Sequence, residues 1–317
     1  MTDVPAPLIS IVVPCYRADN TLPLLLESLS TQIDAPAFEV ILVDNGENWG
    51  LEEIVSATRG KLACIRAVKA HEEQGASYAR NVGAAHARGT ALFFCDADDV
   101  VSAHWVAYGQ RVLEAAQVWT GSAVPVPEEG FGTKLTDIRR KIGDPVAWEE
   151  PTEAPPGAFP VLMGGNFGIV KVLFEDLGGF DQSLPSAGED NELAVRLRLR
   201  GIPLLHAPAV KIAYRISLES RSRRRAQYAG ARAHALIASR YGLWKSSPYP
   251  PALVLLSRVL LSACRMILKP RHADWGGLSQ RLASACGLLE GEARYRLLKR
   301  VPPQRLRAGF DEAGRHG

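Results

Sequence analysis

The 317-residue chain is 47% hydrophobic and 22% charged, which is ordinary for a soluble globular protein. Its five cysteines are scattered and form no Cys-x-x-Cys pair, which argues against a disulfide framework and a zinc cluster and favours a reducing compartment. Residues 1–214 carry 17 Lys and Arg against 28 Asp and Glu, whereas residues 215–307 carry 19 against 4, so the second part suits an anionic surface. The seven N-terminal residues hold no basic stretch before an apolar one, so no signal peptide is predicted and the protein is expected in the cytosol.

Strands and helices alternate through the first hundred residues. Short runs rich in β-branched or aromatic residues predict strands at 8–13, 38–43, 62–68 and 91–95. Helical patterns lie between them at 21–30, 52–58 and 76–87. This alternation predicts a parallel, doubly wound α/β sheet, in which ligands bind beyond the carboxyl ends of the strands. We therefore expect the functional residues directly after the strands.

The fourth predicted strand runs straight into an acidic cluster, Asp96-Ala97-Asp98-Asp99. Carboxylates that follow a buried strand cannot all point into the core unpaired, because buried charge is costly. At the strand end they offer the hard oxygen ligands that Mg²⁺ or Mn²⁺ prefers. Asp-x-Asp also occurs in many loops as a turn or cap, and Asp99 could cap a helix that starts near Ser102. These residues alone leave metal binding and capping open.

A set of short motifs occurs in a fixed order along the chain. The motifs lie at residues 9–17, 40–46, 75–83, 94–99, 164–168, 177–181 and 188–192. The ordered set closely resembles the family 2 glycosyltransferases, which have the GT-A fold, and the resemblance covers roughly residues 8–215. It implies a GT-A, Rossmann-like α/β catalytic domain over residues 1–215, followed by a basic, mostly helical C-terminal region over residues 216–317.

The resemblance implies a site for a nucleotide-sugar donor. The residues that match the donor-binding motifs are Pro14, Tyr16, Arg17, Asp44, Asn45, Arg80, Asn81, Asp96 and Ala97. Asp44 would accept from a base N–H, and Asn45 stands where the family usually has a second Asp, which leaves room for a different base. Arg80 and Asn81 would lie near the diphosphate, where a cation offsets phosphate charge.

The resemblance also implies the catalytic parts. A divalent ion, Mg²⁺ or Mn²⁺, would be held by Asp98 with Asp96, and Asp190 would be the general base. Glu189 and Asn166 would contact the acceptor or the donor sugar. Taken alone, carboxylates at the start of a predicted helix equally indicate helix capping. The implied reaction is one displacement with inversion at the anomeric carbon.

One departure concerns a metal-binding His that many relatives carry after the last strand of the domain. Here the equivalent position holds Tyr214 or Arg215. A His ligand is therefore not predicted, and an Arg near the diphosphate could supply part of the charge stabilisation.

The basic C-terminal third contains an arginine-rich segment, 220–241, and an apolar run, 252–268, that Arg258 and Arg265 interrupt. The run is too short to span a bilayer, and two central arginines are costly in lipid. It predicts either an amphipathic helix at a membrane interface or a helix that packs on the catalytic domain or a partner subunit. A further amphipathic region at 275–298 is expected to complete a small bundle.

Together these features predict a glycosyltransferase of cell-surface polysaccharide or glycolipid synthesis. We expect a lipid-linked or polysaccharide acceptor, a peripheral position on an anionic cytoplasmic membrane face, and no nucleic-acid partner. The alternatives are a catalytically silent partner protein, against which the intact Asp96, Asp98 and Asp190 count, and a sugar-phosphate nucleotidyltransferase. The latter needs a glycine-rich loop after the first strand, which residues 14–17 do not provide. The absence of G-x-G-x-x-G there also excludes a dinucleotide-dependent oxidoreductase.

Overall fold

The computed structural model describes residues 8–46, 48, 50–132, 134–154, 157, 159–184, 187–268 and 273–310. Its strands are β1 (Ile9–Cys15), β2 (Phe38–Asp44), β3 (Ile65–Lys69), β4 (Ala91–Cys95), β5 (Val100–Val101), β6 (Val118–Pro127), β7 (Thr152–Glu153), β8 (Asn166–Val170) and β9 (Leu205–Ile216). Its α-helices are α1 (Leu22–Ser30), α2 (Leu51–Thr58), α3 (Ala76–His86), α4 (Trp105–Leu113), α5 (Glu128–Phe131), α6 (Leu135–Lys141), α7 (Lys171–Asp176), α8 (Glu189–Leu199), α9 (Ser220–Arg240), α10 (Ala252–Leu268) and α11 (Trp275–Gly291).

The strands within the described residues form one sheet in the order β3-β2-β1-β4-β8-β6-β9-β5, with β7 paired to β9. As predicted, β1 is parallel to β2 and β4, and β2 is parallel to β3. Beyond β4 the sheet is mixed, because β8 returns antiparallel and its first residue, Asn166, pairs with Cys95 at the end of β4. The segment that enters β8 therefore lies at the same edge as the carboxyl ends of β1, β2 and β4.

Apolar side chains on alternate positions of the strands build a core on each face of the sheet. In β1, Ile9, Ile11 and Val13 face a core that contains Leu25 of α1, whereas Val12 faces the opposite core with Val82 of α3. β1, β2 and β4 are buried on both faces, which explains why they are nearly continuous apolar segments. The edge strand β3 is only partly buried and ends at the exposed Lys69.

Two predicted details differ from the structure. The helix expected near Ser102 begins at Trp105, and Asp99 does not cap it. Asp99 Oδ1 instead accepts from the backbone N–H of Arg215 at 3.0 Å, which ties the end of β4 to β9. The third strand begins at Ile65, three residues after the predicted start at residue 62, and residues 62–64 precede it without strand pairing.

The C-terminal region folds as helices α9, α10 and α11, with their own apolar cluster around Ala231, Leu236 and Leu288. After α11, a π-helical turn (Glu292–Leu297) leads to residues 301–310, which contact Glu73 and Asn81 of the sheet-containing part. No helix of the described residues is long and apolar enough to cross a membrane.

Candidate active site

An open cavity of about 850 Å³ lies at the carboxyl ends of β1, β2 and β4. It brings together eight of the predicted site residues, namely Pro14, Tyr16, Arg17, Asn45, Arg80, Asp96, Ala97 and Asp98. It also contains residues that the sequence patterns did not assign to the donor site: Gln74, Gly75, Ala76, Glu128, Tyr214, Arg215, Ser217 and Ser222. The predicted strand-end location of the site agrees with this cavity.

The turn after β1 forms one wall of the cavity. Arg17 adopts a left-handed backbone conformation with φ of 52°, which reverses the chain directly after the strand. Its guanidinium lies 5.3 Å from the centre of the Tyr16 ring, and the Tyr16 side chain is 47% exposed at the cavity. An exposed aromatic ring beside a cation offers a flat surface for a nucleobase.

Asp44 and Asn45 lie at the end of β2, and their side chains bond to neighbouring residues of the cavity wall. Asn45 donates from Nδ2 to the carbonyl oxygen of Glu73 (2.8 Å) and accepts from the Gly75 N–H (2.7 Å), so it fixes the loop that leads into α3. Asp44 does not line the cavity, and its carboxylate lies 3.0 Å from His71 Nε2. Partial burial would raise the pKa of Asp44, but hydrogen bonds from Asn48 and Gly46 and the His71 ring together lower it.

Arg80 joins two acidic segments from the floor of the cavity. Its Nη2 donates to Asp96 Oδ1 at 2.6 Å and its Nη1 donates to Glu189 Oε1 at 3.2 Å. The Arg80 side chain is only 5% exposed, whereas its partners Asp96 and Glu189 are 31% and 17% exposed, so the ion pairs are partly shielded from solvent. One buried guanidinium thereby fixes the distance between the end of β4 and the start of α8.

The acidic cluster after β4 has unbalanced negative charge. Burial and then the charge of Asp96 raise the pKa of Asp98, whose carboxylate forms no salt bridge with any described residue. Burial and the charges of Asp96 and Asp98 raise the pKa of Asp99, whose buried Oδ2 has no hydrogen-bond partner among the described residues. A cation placed here would relieve this repulsion, so the donor set fits a divalent metal.

The protein ligands that such an ion could use are few. The described residues contain no group of three or more His, Cys, Asp and Glu side chains arranged to hold a metal. Asp96 and Asp98 are two carboxylates, the usual protein share for Mg²⁺ when phosphate oxygens and water complete the shell. The site therefore fits an ion that is held jointly with a phosphorylated ligand.

Arg215 contacts the acidic cluster, although it lies 117 positions after Asp98 along the chain. Its Nε donates to the backbone carbonyl of Asp98 at 3.1 Å, and its guanidinium stacks 3.9 Å from the centre of the Phe131 ring. These contacts hold a cation in the cavity wall next to the carboxylates. The neighbouring Tyr214 is 45% exposed, and burial together with the nearby acids raises its pKa.

Asp190 lies beside the cavity, in the first turn of α8, and not in its lining. Its two carboxylate oxygens accept from the backbone N–H groups of Gly164 (3.1 Å) and Asn191 (2.7 Å). Burial and then the Glu189 charge raise the pKa of Asp190 to about 6, while those hydrogen bonds and the Arg80 charge act in the opposite direction. A carboxylate with such a pKa is suited to accept a proton near neutral pH.

Two adjacent glycines allow the carboxylates to lie this close to the entry of β8. A Cβ at Gly165 would lie 2.9 Å from Asp96 Cγ, and a Cβ at Gly164 would lie 3.2 Å from Asp190 Oδ2. The backbone of the Gly164-Gly165 pair therefore occupies space that no larger residue could share without displacing one of the two acids.

Two predicted site residues, Asn81 and Asn166, do not line the cavity and use their side-chain amides within the fold, so their contact with the donor or the sugar stays a prediction. The side chain of Asn81 is fully buried, donates to the carbonyls of Phe180 and Ala308, and accepts from the Phe180 N–H. Asn166 is equally buried and accepts from Trp105 Nε1 at 2.8 Å. Its amide also donates to the carbonyls of Ser122 and Val210, so all its polar atoms are engaged within the fold.

Comparison with known proteins gives relatives over most of the chain. The chain is 28% identical over 229 residues to validoxylamine A glucosyltransferase of Streptomyces hygroscopicus subsp. limoneus, covering 62% of this chain and 49% of that protein. It spans 30% to 61% of the length of the curated relatives that it matches.

Among solved structures, the chain is similar to the mannosyltransferase PcManGT from Pyrobaculum calidifontis in complex with GDP-Man and Mn²⁺ (TM-score 0.60, 17% identity, 94% of this chain and 90% of that chain). It is also similar to S. aureus TarS 1–349 in complex with UDP (TM-score 0.51, 17% identity, 91% of each chain). The fold is accordingly that of the GT-A glycosyltransferases. The family described as Glycosyl transferase family 2 matches residues 10–178, more than half of the chain, and the protein belongs to that family.

Proposed function

We propose that the protein is an inverting glycosyltransferase that transfers a sugar from a nucleotide-diphosphate sugar to an acceptor hydroxyl. The observation that carries this proposal is the Arg80 bridge, which joins Asp96 of the acidic cluster to Glu189, the neighbour of Asp190. Arg80 therefore connects the proposed metal-binding pair, which lines the cavity, to the first turn of α8, which carries the candidate base behind that lining. Direct displacement needs both at once, one beside the leaving group and one beside the nucleophile.

The donor diphosphate is proposed to lie between the start of α3 and Arg215. Gln74, Gly75 and Ala76 line the cavity where α3 begins, and no side chain caps that helix. The exposed backbone N–H groups and the helix dipole favour an anion there. Arg215, on the opposite wall, would bind the phosphate oxygens and stabilise the negative charge of the departing nucleotide.

Asp98 and Asp96 would hold a divalent ion, Mg²⁺ or Mn²⁺, together with the diphosphate. When bound, such an ion neutralises charge on the leaving diphosphate as a Lewis acid. The likeness to a mannosyltransferase that binds GDP-Man and Mn²⁺ supports this assignment. Close to these two carboxylates, the buried Asp99 Oδ2 has no hydrogen-bond partner among the described residues, which is the observation in this chain that favours a cation.

Asp190 is proposed to accept the proton of the acceptor hydroxyl. The N–H groups of Gly164 and Asn191 orient its carboxylate, and its pKa of about 6 leaves it ionised at neutral pH. Glu189, held by Arg80, would contact a sugar hydroxyl beside it. No covalent intermediate is required, since the acceptor attacks the anomeric carbon directly.

The acceptor is proposed to be a lipid-linked molecule or a polysaccharide of the cell surface, modified at the cytoplasmic face. The alternative is a glycosyltransferase-like protein without activity, in which the cavity would bind a nucleotide and transfer nothing. The direct test incubates purified protein with Mn²⁺ and a panel of GDP- and UDP-sugars, with thermal shift and donor hydrolysis as readouts. A donor that stabilises the wild-type protein but is never hydrolysed or transferred would favour the silent protein. Failure of every donor to bind would refute the proposed function.

A further inference from the structure

The helices of the C-terminal region place one end of their bundle beside the cavity. Ser284 of α11 donates to Gln227 of α9 at 2.9 Å, and further along both helices Gly291 packs against Ala235. The contacts advance in the same direction on both helices, so α9 and α11 are parallel. The start of α11 therefore lies at the end of the bundle where α9 begins. That end adjoins the cavity, because Ser222 of α9 is part of the cavity lining.

Helix α10 runs the opposite way along α11. The N–H of Ala252, at the start of α10, is bonded to Glu292 beyond the end of α11 (3.2 Å), and Met266 near the end of α10 packs on the cluster that contains Leu278. The last turn of α10 thus lies near the beginnings of α11 and α9. Three chain segments converge at this end of the bundle, next to the cavity.

The outer face of α10 carries an exposed apolar stripe, which we call the α10 stripe. Its residues form adjacent pairs that recur every seven positions, about two helical turns, and they are exposed by 41% to 81%: Leu253, Val254, Leu260, Leu261, Ile267 and Leu268. The inner face, with Ala252 and Val259, is buried against α11. Trp275, at the start of α11, adds an aromatic ring that is 52% exposed at the same end. A contiguous apolar surface of this kind marks an interaction site rather than ordinary solvent contact.

Exposed cations border the α10 stripe. Arg258 and Arg265 follow one another along one side of the helix, and α10 contains no acidic residue. The first turns of α9 add four exposed arginines at the cavity end of the bundle: Arg221, Arg223, Arg224 and Arg225. Apolar residues flanked by arginines suit the boundary between lipid chains and anionic head groups, where long cationic side chains reach the phosphates. A second copy that packed its α10 on this α10 would offer the arginines no acidic partner on that helix.

We propose that the α10 stripe and the arginines of α9 dock this end of the bundle on an anionic membrane surface, so that the cavity opens beside the lipid head groups. The acceptor is then a lipid-linked molecule of that membrane, a consequence that rests on the proposed function. The docking itself does not rest on it. Each basic residue near an anionic leaflet strengthens binding by about fivefold, and a buried leucine adds about tenfold or more.

The test is flotation of the purified full chain with vesicles of phosphatidylcholine alone or mixed with phosphatidylglycerol. Wild-type protein is expected to float with the mixed vesicles at low salt, to be released at about 1 M salt, and to ignore phosphatidylcholine vesicles. Equal binding to both vesicle types would overturn the role of the arginines, and no binding to mixed vesicles would overturn the proposal. In the latter case, a dimer that Leu260→Glu dissociates in sedimentation would assign the stripe to self-association.

Matched variants separate docking from folding and from activity. Replacement of Arg223, Arg224 and Arg225 by Gln should weaken vesicle binding about 100-fold, whereas the same charge change at Arg59, Lys61 and Arg140 should leave binding within about twofold. Leu260→Glu with Ile267→Glu should also release the protein, while Val172→Glu, on the exposed face of α7, should not. All variants should keep wild-type thermal unfolding and soluble-donor hydrolysis. Vesicle binding without any donor binding would leave docking intact and refute only the proposed function.

Discussion

A methyl group placed at Gly165 would enter space that the Asp96 carboxylate occupies. The Cβ would lie 2.9 Å from Asp96 Cγ and closer still to Oδ2, which is shorter than real carbon contacts allow. Asp96 cannot turn away freely, because its Oδ1 accepts from Arg80 at 2.6 Å. Gly165→Ala must therefore break or lengthen this buried, charge-assisted hydrogen bond, which is worth about 1.5–3 kcal/mol.

Because Asp96 is one of the two proposed metal carboxylates, its displacement should also weaken metal-dependent donor binding; a binding loss of the same size, about 1.5–3 kcal/mol, would be about 10-fold to 150-fold. Titration calorimetry with the donor and Mn²⁺ measures it on the folded protein. Gly230→Ala is the matched control, since a Cβ at that helical position meets nothing within 4 Å. It should bind the donor as the wild type does.

The neighbouring glycine gives an internal contrast. A Cβ at Gly164 would lie 3.2 Å from Asp190 Oδ2 and 3.3 Å from Asp190 Cβ, a tight contact that a shift of a few tenths of an ångström relieves. Gly164→Ala should therefore lower turnover more than it lowers donor affinity. If Gly165→Ala bound the metal and donor normally, the assignment of Asp96 to the metal would be refuted.

Three further changes test the remaining parts of the site. Asp98→Ala should abolish transfer and the Mn²⁺ dependence of nucleotide binding, and near-normal activity would exclude Asp98 as a ligand. Asp190→Asn should lower turnover by about 10²–10⁴ while donor affinity, measured by calorimetry, persists. For the wild type, kcat/KM should fall as pH drops through about 6, because the base acts only when deprotonated. Asn81→Ala should lower the free energy of unfolding by about 2–4 kcal/mol in denaturant titrations, without changing donor affinity of the folded protein, because it leaves buried backbone groups of Phe180 unpaired.

The parts of the site that the sequence predicts well are those that follow a local pattern. The strands β1, β2 and β4 are short apolar runs with polar residues directly after them, and parallel pairing brings those ends together whatever the rest of the chain does. Tyr16, Asn45 and Asp98 lie at the cavity for this reason. The alternation of strands and helices could not predict the antiparallel strand β8, because β8 pairs with β4 across about 70 residues of intervening chain.

The contacts that the sequence could not predict are those made with residues far away along the chain. Asn81 is bonded to Phe180 and Ala308, which are 99 and 227 positions away, and nothing in its own helix shows that its amide is used there. From the sequence alone, Asn81 could equally be an ordinary helical residue or a residue that contacts a ligand. Glu128 and Ser222 reach the cavity from segments that contain no family motif, so only the folded chain reveals them. From the sequence, Tyr214 and Arg215 could be connected with the site only because many relatives carry a metal-binding His at this position.

The return of residues 301–310 bears on how the chain divides. The Arg305 N–H is bonded to Asp181 (2.8 Å), and its guanidinium donates to Glu73 at 2.6 Å, in the same loop that Asn45 fixes at the cavity. Asp181 in turn pairs with Arg240 at the end of α9. The predicted boundary after residue 215 therefore separates an acidic from a basic part of the sequence, but Arg305, from the far side of that boundary, holds the loop between β3 and α3 at the cavity. Because this contact joins the C-terminal segment to the cavity wall, loss of the segment would disturb the catalytic part as well as the helical bundle.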